Sequence, residues 1–152
     1  MHQRVILTSH LSCDLTMAIS ECEHDCIFIL TDTHTQAHCL PVVQSYLSLR
    51  DAQPISIPAS DTHKDLHSLT HVWQSLQQGG ATRHSLLINL GGGMVTDLGG
   101  FAASTFKRGI DFINIPTTLL SMVDASVGGK TGINFGGLKN EIGVFSEARY
   151  VL

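Results

Sequence analysis

The 152-residue chain carries little charge, few aromatic side chains and no long apolar run. Charged residues make up 14% of the chain, aromatic residues 6%, and the formal net charge is −4. This small charge excess gives no electrostatic reason to expect nucleic acid or an anionic membrane as a partner. No apolar run approaches the roughly 20 residues of a membrane-spanning helix. Residues 1–14 also lack the apolar core and cleavage site of a signal peptide.

Cysteine is scarce and histidine is scattered. The four cysteines form no CxxC pair, so we expect reduced thiols in a cytoplasmic protein: Cys13, Cys22, Cys26 and Cys39. His63, His67 and His71 recur at four-residue spacing and would share one face of a helix. Because no Cys or Glu accompanies them at ligand spacing, we predict a solvated face rather than a metal site.

Apolar segments alternate between strand-like and helix-like patterns. Strands are predicted at 4–8, 26–32, 54–59, 85–90 and 111–116, and helices at 36–50, 64–78, 94–105 and 117–126. Strands that alternate with helices indicate an α/β fold with a Rossmann-like, doubly wound and mostly parallel sheet. We assign residues 1–152 to one such domain. The last residues, "RYVL", resemble the beginning of another strand, which suggests one domain of a longer protein.

The most informative segment is "LINLGGGMVTDLGGF", from Leu87 to Phe101. A helix that begins just after Gly93 would point unpaired N–H groups at a ligand above the sheet, and glycines would let the backbone approach it. The alternative is a tight strand-to-helix turn. Thr96 stands where GxGxxG needs glycine, and no GK[ST] follows. Asp97 either complements the helix dipole or accepts hydrogen bonds from a nucleotide.

Further polar residues follow the next strands. Arg108, in "KRGID", is either solvated or holds phosphate or carboxylate. Asp124 lies between Val123 and Ala125, which predicts an apolar setting where its carboxylate needs a partner. The glycine-rich stretch 127–145 predicts an extended loop or hairpin and contains Lys130, Lys139 and Asn140. Because ligands bind at the carboxyl ends of parallel strands, these residues together favour a site for an anionic, hydroxylated ligand.

Three segments resemble the 3-dehydroquinate synthase family: "GGGMVTDLGGFAASTFKRG", "IPTTLLSMVDASVGGKTGIN" and "GLKNEIGVF". The resemblance implies the N-terminal, NAD-binding domain of a cytoplasmic homodimer that also has a helical C-terminal domain. The family converts the sugar phosphate DAHP into 3-dehydroquinate and phosphate in the shikimate pathway. NAD oxidises a hydroxyl, phosphate is eliminated, the ketone is reduced, and the ring opens and recloses. A divalent metal, zinc or cobalt, polarises the reacting oxygen.

The resemblance also implies roles for individual residues. Expected NAD contacts are Asp32, Asp61, Lys64, Gly92, Gly93, Met94, Asp97, Thr117, Thr118 and Lys139. Expected substrate contacts are Asp124, Lys130, Asn140 and Arg108, the last reaching phosphate across a dimer interface.

The chain departs from the family pattern at four positions, which weakens the adenosine-side assignments most: Asp61 replaces Glu, Ser60 replaces Gly, Thr96 replaces Gly and His34 replaces Asn. The family's metal ligands lie in the C-terminal domain, so this chain is expected to be inert alone and to bind NAD weakly. The alternatives are another sugar-phosphate cyclase, a metal-dependent polyol dehydrogenase, and a non-catalytic nucleotide-binding module.

Overall fold

A six-stranded, all-parallel sheet forms the centre of the fold in the computed structural model, which describes residues 2–152. The strands are β1 (Arg4–Val5), β2 (Ile27–Asp32), β3 (Gln53–Ile57), β4 (Leu86–Gly91), β5 (Asp111–Pro116) and β8 (Tyr150–Val151), with β6 (Lys130–Phe135) and β7 (Leu138–Phe145) in a separate hairpin. The strand order is β1-β8-β5-β4-β2-β3, so the chain winds first to one side of β2 and then to the other. This confirms the predicted doubly wound, Rossmann-like sheet.

Helices cover both faces of the sheet. They are α1 (Leu11–Glu21), α2 (Thr33–His38), α3 (Leu40–Gln44), α4 (Leu66–Gln78) and α5 (Gly93–Thr105), with a π-helical segment at Ser121–Ala125. Side chains of α4 and α5 pack on one face of the sheet, and those of α1 and α3 pack on the other. Successive residues of β2 and β4 therefore point into opposite cores. That is why both strands read as continuous apolar runs rather than as alternating patterns.

The hairpin lies against α5 and is joined by a two-residue turn. Gly136 and Gly137 both have positive φ angles, 61° and 79°, as a type I′ turn requires. Phe135 pairs with Leu138 on either side of this turn. Of the two alternatives for the glycine-rich stretch, a loop or a hairpin, the structure shows the hairpin.

Several predicted boundaries were wrong. Residues 11–21 form α1, a helix that was not predicted. The helix expected at 36–50 is divided into α2, α3 and a short 3₁₀ turn (Leu47–Leu49), and Pro41 lies in the first turn of α3, where proline is well tolerated. β1 has two residues instead of the five expected. The short helix expected at 117–126 is present, but much of it is the π-helical segment.

A buried amide pair crosses the centre of the sheet. Asn89 of β4 donates from Nδ2 to Oδ1 of Asn114 on β5 at 3.0 Å, and Asn114 Nδ2 donates to the Ser126 carbonyl at 3.2 Å. Ser126 follows the π-helical segment directly. The pair therefore ties the end of that segment to the interior of the sheet.

Candidate functional site

The first turn of α5 lies at the carboxyl edge of the sheet. Gly92 occupies the N-cap position, and no side chain among residues 2–152 caps this end of the helix. The backbone N–H of Thr117, which follows β5, donates to the Gly91 carbonyl at 3.0 Å. This bond brings the Thr117–Thr118 pair beside the glycines. Uncapped N–H groups at the start of a 13-residue helix form a binding position for an anion.

Gly92 has little room for a side chain. A Cβ atom at this position would lie 3.1 Å from Cγ2 of Thr118, closer than ordinary van der Waals contact. The glycine therefore allows the threonine to sit against the start of α5.

Lys64 is the buried cation of the site. Its side chain is 6% exposed, and Nζ lies 3.1 Å from Oδ2 of Asp97 and 2.6 Å from Oδ1 of Asn140. Oδ1 of Asp61 is 3.7 Å away. Lys64 comes from the segment before α4, Asp97 from α5 and Asn140 from β7. A single ammonium group thus joins three separate parts of the chain.

Burial raises the pKa of the Asp97 carboxyl, because a charged carboxylate is poorly solvated at this depth. The ammonium of Lys64 opposes this effect through its charge and its hydrogen bond. The carboxylates of Asp61 and Asp124 add to the increase. The charge of the Asp97 carboxyl, and with it its strength as a hydrogen-bond acceptor, therefore depends on Lys64 and on the two neighbouring carboxylates.

Two cavities flank this cluster. One of about 660 Å³ is lined by Asp97, Asp124, Lys130 and Asn140, which are one predicted NAD contact and three predicted substrate contacts. The other, of about 630 Å³, lies between the start of α4 and the tip of the hairpin and is lined by Asp61, Asn134 and Lys139 among others. Oδ2 of Asp61 is 3.8 Å from Nζ of the exposed Lys139.

Most predicted site residues therefore meet at one edge of the sheet, but Arg108 does not join them. It follows the C-terminal end of α5, whose 13 residues separate it by about 20 Å from Gly92. Arg108 is exposed and has a φ angle of 67°.

Asp32 lies at the end of β2 as predicted, but its carboxylate caps α2. Oδ1 accepts from the backbone N–H groups of His34 at 2.8 Å and Thr35 at 2.9 Å. If Asp32 also contacts a nucleotide, it must do so while its Oδ1 caps α2.

The apolar setting predicted for Asp124 was wrong. Asp124 is exposed, and so is Val123, at 70% of its surface. The π-helical segment projects from the fold, so sequence neighbours that look apolar do not enclose the carboxylate. Asp124 instead faces the larger cavity.

One polar residue of this region was not predicted. Asn134 of β6 donates from Nδ2 to the backbone carbonyl of Asp61 at 2.9 Å and to its Oδ2 at 3.3 Å. Its Oδ1 accepts from the backbone N–H of Asn140 at 3.0 Å. No local pattern indicates these contacts, and Asn134 is marked only by its place in a glycine-rich stretch.

Comparison with known families identifies the group to which this site belongs. The family model for the 3-dehydroquinate synthase N-terminal region matches residues 54–152, well over half of the chain. The chain belongs to the 3-dehydroquinate synthase family. A 3-dehydroquinate synthase of Parabacteroides distasonis is 51% identical over 143 residues, covering 94% of this chain and 40% of the relative. One from Pyrococcus furiosus is 46% identical over 126 residues, covering 83% of this chain and 37% of the relative.

Solved structures of sugar-phosphate cyclases share the fold. The 2-epi-5-epi-valiolone synthase of Streptomyces hygroscopicus, with NAD+ and Zn2+ bound, has a TM-score of 0.86 and 27% identity, covering 100% of this chain and 42% of that one. A 2-deoxy-scyllo-inosose synthase complexed with carbaglucose-6-phosphate, NAD+ and Co2+ has a TM-score of 0.87 at 22% identity, covering 98% of this chain and 41% of that one.

The family member described here thus spans about two fifths of the length of the curated relatives it matches. Within residues 2–152, no three His, Cys, Asp or Glu side chains are grouped so that they could hold a metal ion. The same residues include no helix with the length and hydropathy needed to cross a membrane.

Proposed function

We propose that this chain is the NAD-binding region of a 3-dehydroquinate synthase, which converts DAHP into 3-dehydroquinate and phosphate. The observation that carries the proposal is the Lys64–Asp97–Asn140 cluster beside the uncapped start of α5. The 51% identity to a relative named 3-dehydroquinate synthase supports the choice of reaction. We therefore favour a cofactor-binding turn over a strand-to-helix turn that binds no ligand.

The residues at the start of α5 fit NAD. The N–H groups of the first turn suit its pyrophosphate, and the missing side chain at Gly92 keeps Thr118 close to them. We assign Gly92, Gly93 and Met94 to the pyrophosphate side. Asp97 would accept hydrogen bonds from hydroxyl groups, and Lys64 keeps its carboxylate in place. Thr117, Thr118, Asp61, Lys139 and, on the adenosine side, Asp32 complete the proposed cofactor contacts.

On the substrate side, the larger cavity places Lys130, Asn140 and Asp124 around one space. The lysine ammonium suits an anionic group, while the amide and carboxylate suit hydroxyl groups of a sugar. Arg108 is not among the residues that line this cavity. We propose that it reaches the substrate phosphate of a second copy in a cytoplasmic homodimer, and its exposure is compatible with that role.

NAD, when bound, supplies a hydride acceptor that is regenerated in each cycle. The described residues do not offer a donor set for the divalent metal that such an enzyme would use. We propose that zinc or cobalt is held by the part of the enzyme outside the two fifths matched here. The chain would then act as a phosphate-eliminating lyase only when joined to that part, and it would be inactive alone.

A fusion experiment tests this proposal. Residues 1–152 would be joined to the remaining length of the Parabacteroides distasonis relative, and DAHP consumption, 3-dehydroquinate and inorganic phosphate would be measured. We expect one phosphate for each 3-dehydroquinate and none with glucose 6-phosphate as a control substrate. A folded fusion that binds NAD but leaves DAHP unchanged would contradict the proposed reaction and favour a non-catalytic nucleotide-binding module.

A further inference from the structure

The β6–β7 hairpin is irregular at the point where it meets the site. Ile133 pairs with Ile142 and Phe135 pairs with Leu138, so Asn134 alone stands opposite three residues, 139–141. Such a bulge removes the regular ladder hydrogen bonds and changes the direction of the side chains on the longer strand. Here it brings Lys139 and Asn140 toward Asp61 and Lys64, respectively.

Asn140 adopts a backbone conformation that side-chain-bearing residues rarely use. Its φ angle is 53°, in the left-handed region, which Asn tolerates better than most residues but which still needs support from its surroundings. The backbone N–H freed by the bulge donates to Oδ1 of Asn134 at 3.0 Å. The side chain of Asn134 thus replaces the missing ladder partner.

The same side chain also holds the segment before α4. Nδ2 of Asn134 donates to the Asp61 carbonyl and carboxylate, and the backbone N–H of Asn134 donates to the Lys64 carbonyl at 2.8 Å. One residue therefore fixes both the segment that carries Lys64 and the strand that carries Asn140. The 2.6 Å bond between Lys64 Nζ and Asn140 Oδ1 depends on both being held.

We propose that Asn134 is a positioning residue of the site: its carboxamide sets the backbone of Asn140 and the place of Asp61, and through them the Lys64 ammonium beside Asp97. This inference rests on the proposed function, because the arrangement matters only if that site binds NAD. Asn134 acts through these neighbours and is not assigned a contact with cofactor or substrate.

Asn134→Ala removes both halves of this interaction. We expect the Asn140 amide to exchange its hydrogen about tenfold faster, as the loss of one hydrogen bond allows, and NAD to bind at least about fivefold more weakly by calorimetry. The control Gln74→Ala truncates an exposed carboxamide on α4 and should leave both unchanged. The urea midpoint of Asn134→Ala should fall modestly, because hydrogen bonds are lost while neither apolar core changes, and that of Gln74→Ala should not move.

Asn134→Asp separates the two halves and serves if the alanine variant does not fold. It keeps an acceptor for the Asn140 N–H but sets a carboxylate against Asp61. We expect normal Asn140 exchange with weakened NAD binding. Asn134→Asp should weaken NAD binding less in an Asp61→Asn background than in the unaltered chain, because the repulsion between the two carboxylates is then absent.

Unchanged Asn140 exchange in Asn134→Ala would overturn the inference, and so would faster exchange with unchanged NAD affinity. If the unaltered chain binds no NAD, the proposed cofactor role of the chain fails, and the Asn140 exchange rates alone decide whether Asn134 positions that strand.

Discussion

Lys64 Nζ and Asp97 Oδ2 lie 3.1 Å apart, and the lysine side chain is almost fully buried while the aspartate is 19% exposed. Taking two opposite charges out of water is costly, and a pair of this kind contributes to stability only when both partners are present. The pair lies at the start of α5 and joins that helix to the segment before α4. The stability of the fold and the proposed NAD site therefore depend on the same two side chains.

Replacing the lysine alone should leave a partly buried carboxylate without its cation. We expect Lys64→Met to lower the free energy of unfolding near neutral pH by about 1–3 kcal/mol, measured by urea denaturation. The double variant Lys64→Met with Asp97→Asn removes both charges and should recover much of that loss. A double variant no more stable than Lys64→Met would contradict the view that the loss comes from the unpaired Asp97 carboxylate.

The pKa of Asp97 should be measurable through its carboxyl carbon by NMR. Burial raises this pKa above the ordinary range, and Lys64→Met should raise it further because the opposing cation is gone. Since the folded state then holds the proton at pH values where the unfolded chain has released it, this group's contribution to stability falls as pH rises through that window. An Asp97 pKa at or below the ordinary carboxyl value would contradict this.

The pH dependence of NAD binding should follow the same carboxyl. If ionised Asp97 accepts hydrogen bonds from the cofactor, NAD affinity increases as pH rises through the raised pKa and then levels off. In Asp97→Asn the affinity should be lower and this dependence should disappear. Titrations at several pH values in one buffer series would measure it, and an identical pH profile in both proteins would exclude Asp97 as the group responsible.

Gly92 should tolerate no side chain without loss of binding. In Gly92→Ala the new Cβ would lie 3.1 Å from Cγ2 of Thr118, so the threonine has to move away from the start of α5. We expect NAD affinity to fall about tenfold with little change in the urea midpoint. Adding Thr118→Ser removes the crowded methyl group but keeps the hydroxyl, and should restore part of the affinity. No recovery would mean that the crowding is elsewhere.

Lys130→Ala tests the substrate side in the fusion enzyme. Lys130 is exposed at the start of β6 and has little packing to lose, so the unfolding transition should hardly move. Turnover of DAHP should fall sharply, because a cation facing the larger cavity is lost. Equal turnover in a folded variant would remove Lys130 from the proposed substrate contacts.

The sheet, and the gathering of polar residues at its carboxyl edge, could be predicted because buried strands, glycines and helix starts leave local patterns. Helix α1 was missed although Leu15, Ala18 and Ile19 are buried along one face, because the same segment contains several weak helix formers: Ser12, Cys13, Thr16 and Ser20. The exposure of Asp124 could not be read from Val123 and Ala125, since the segment projects from the fold. These are features set by tertiary packing rather than by neighbouring residues.

Asn134 and the Asn89–Asn114 pair were missed for a related reason. Asn134 and Asp61 are 73 positions apart, and Asn89 and Asn114 are 25 apart, so no local pattern indicates either contact. Resemblance to a family supplied the positions expected to touch ligands, but it gave no information on residues that support them.

The proposed NAD site is tested most directly by a calorimetric titration of the 152-residue chain with NAD, with folding followed by circular dichroism. We expect saturable binding that weakens in Asp97→Asn and in Thr117→Ala, while Gln74→Ala binds as the unaltered chain does. A folded chain with no measurable binding, or binding that neither site variant changes, would contradict the claim that this domain carries a preformed NAD site at the start of α5.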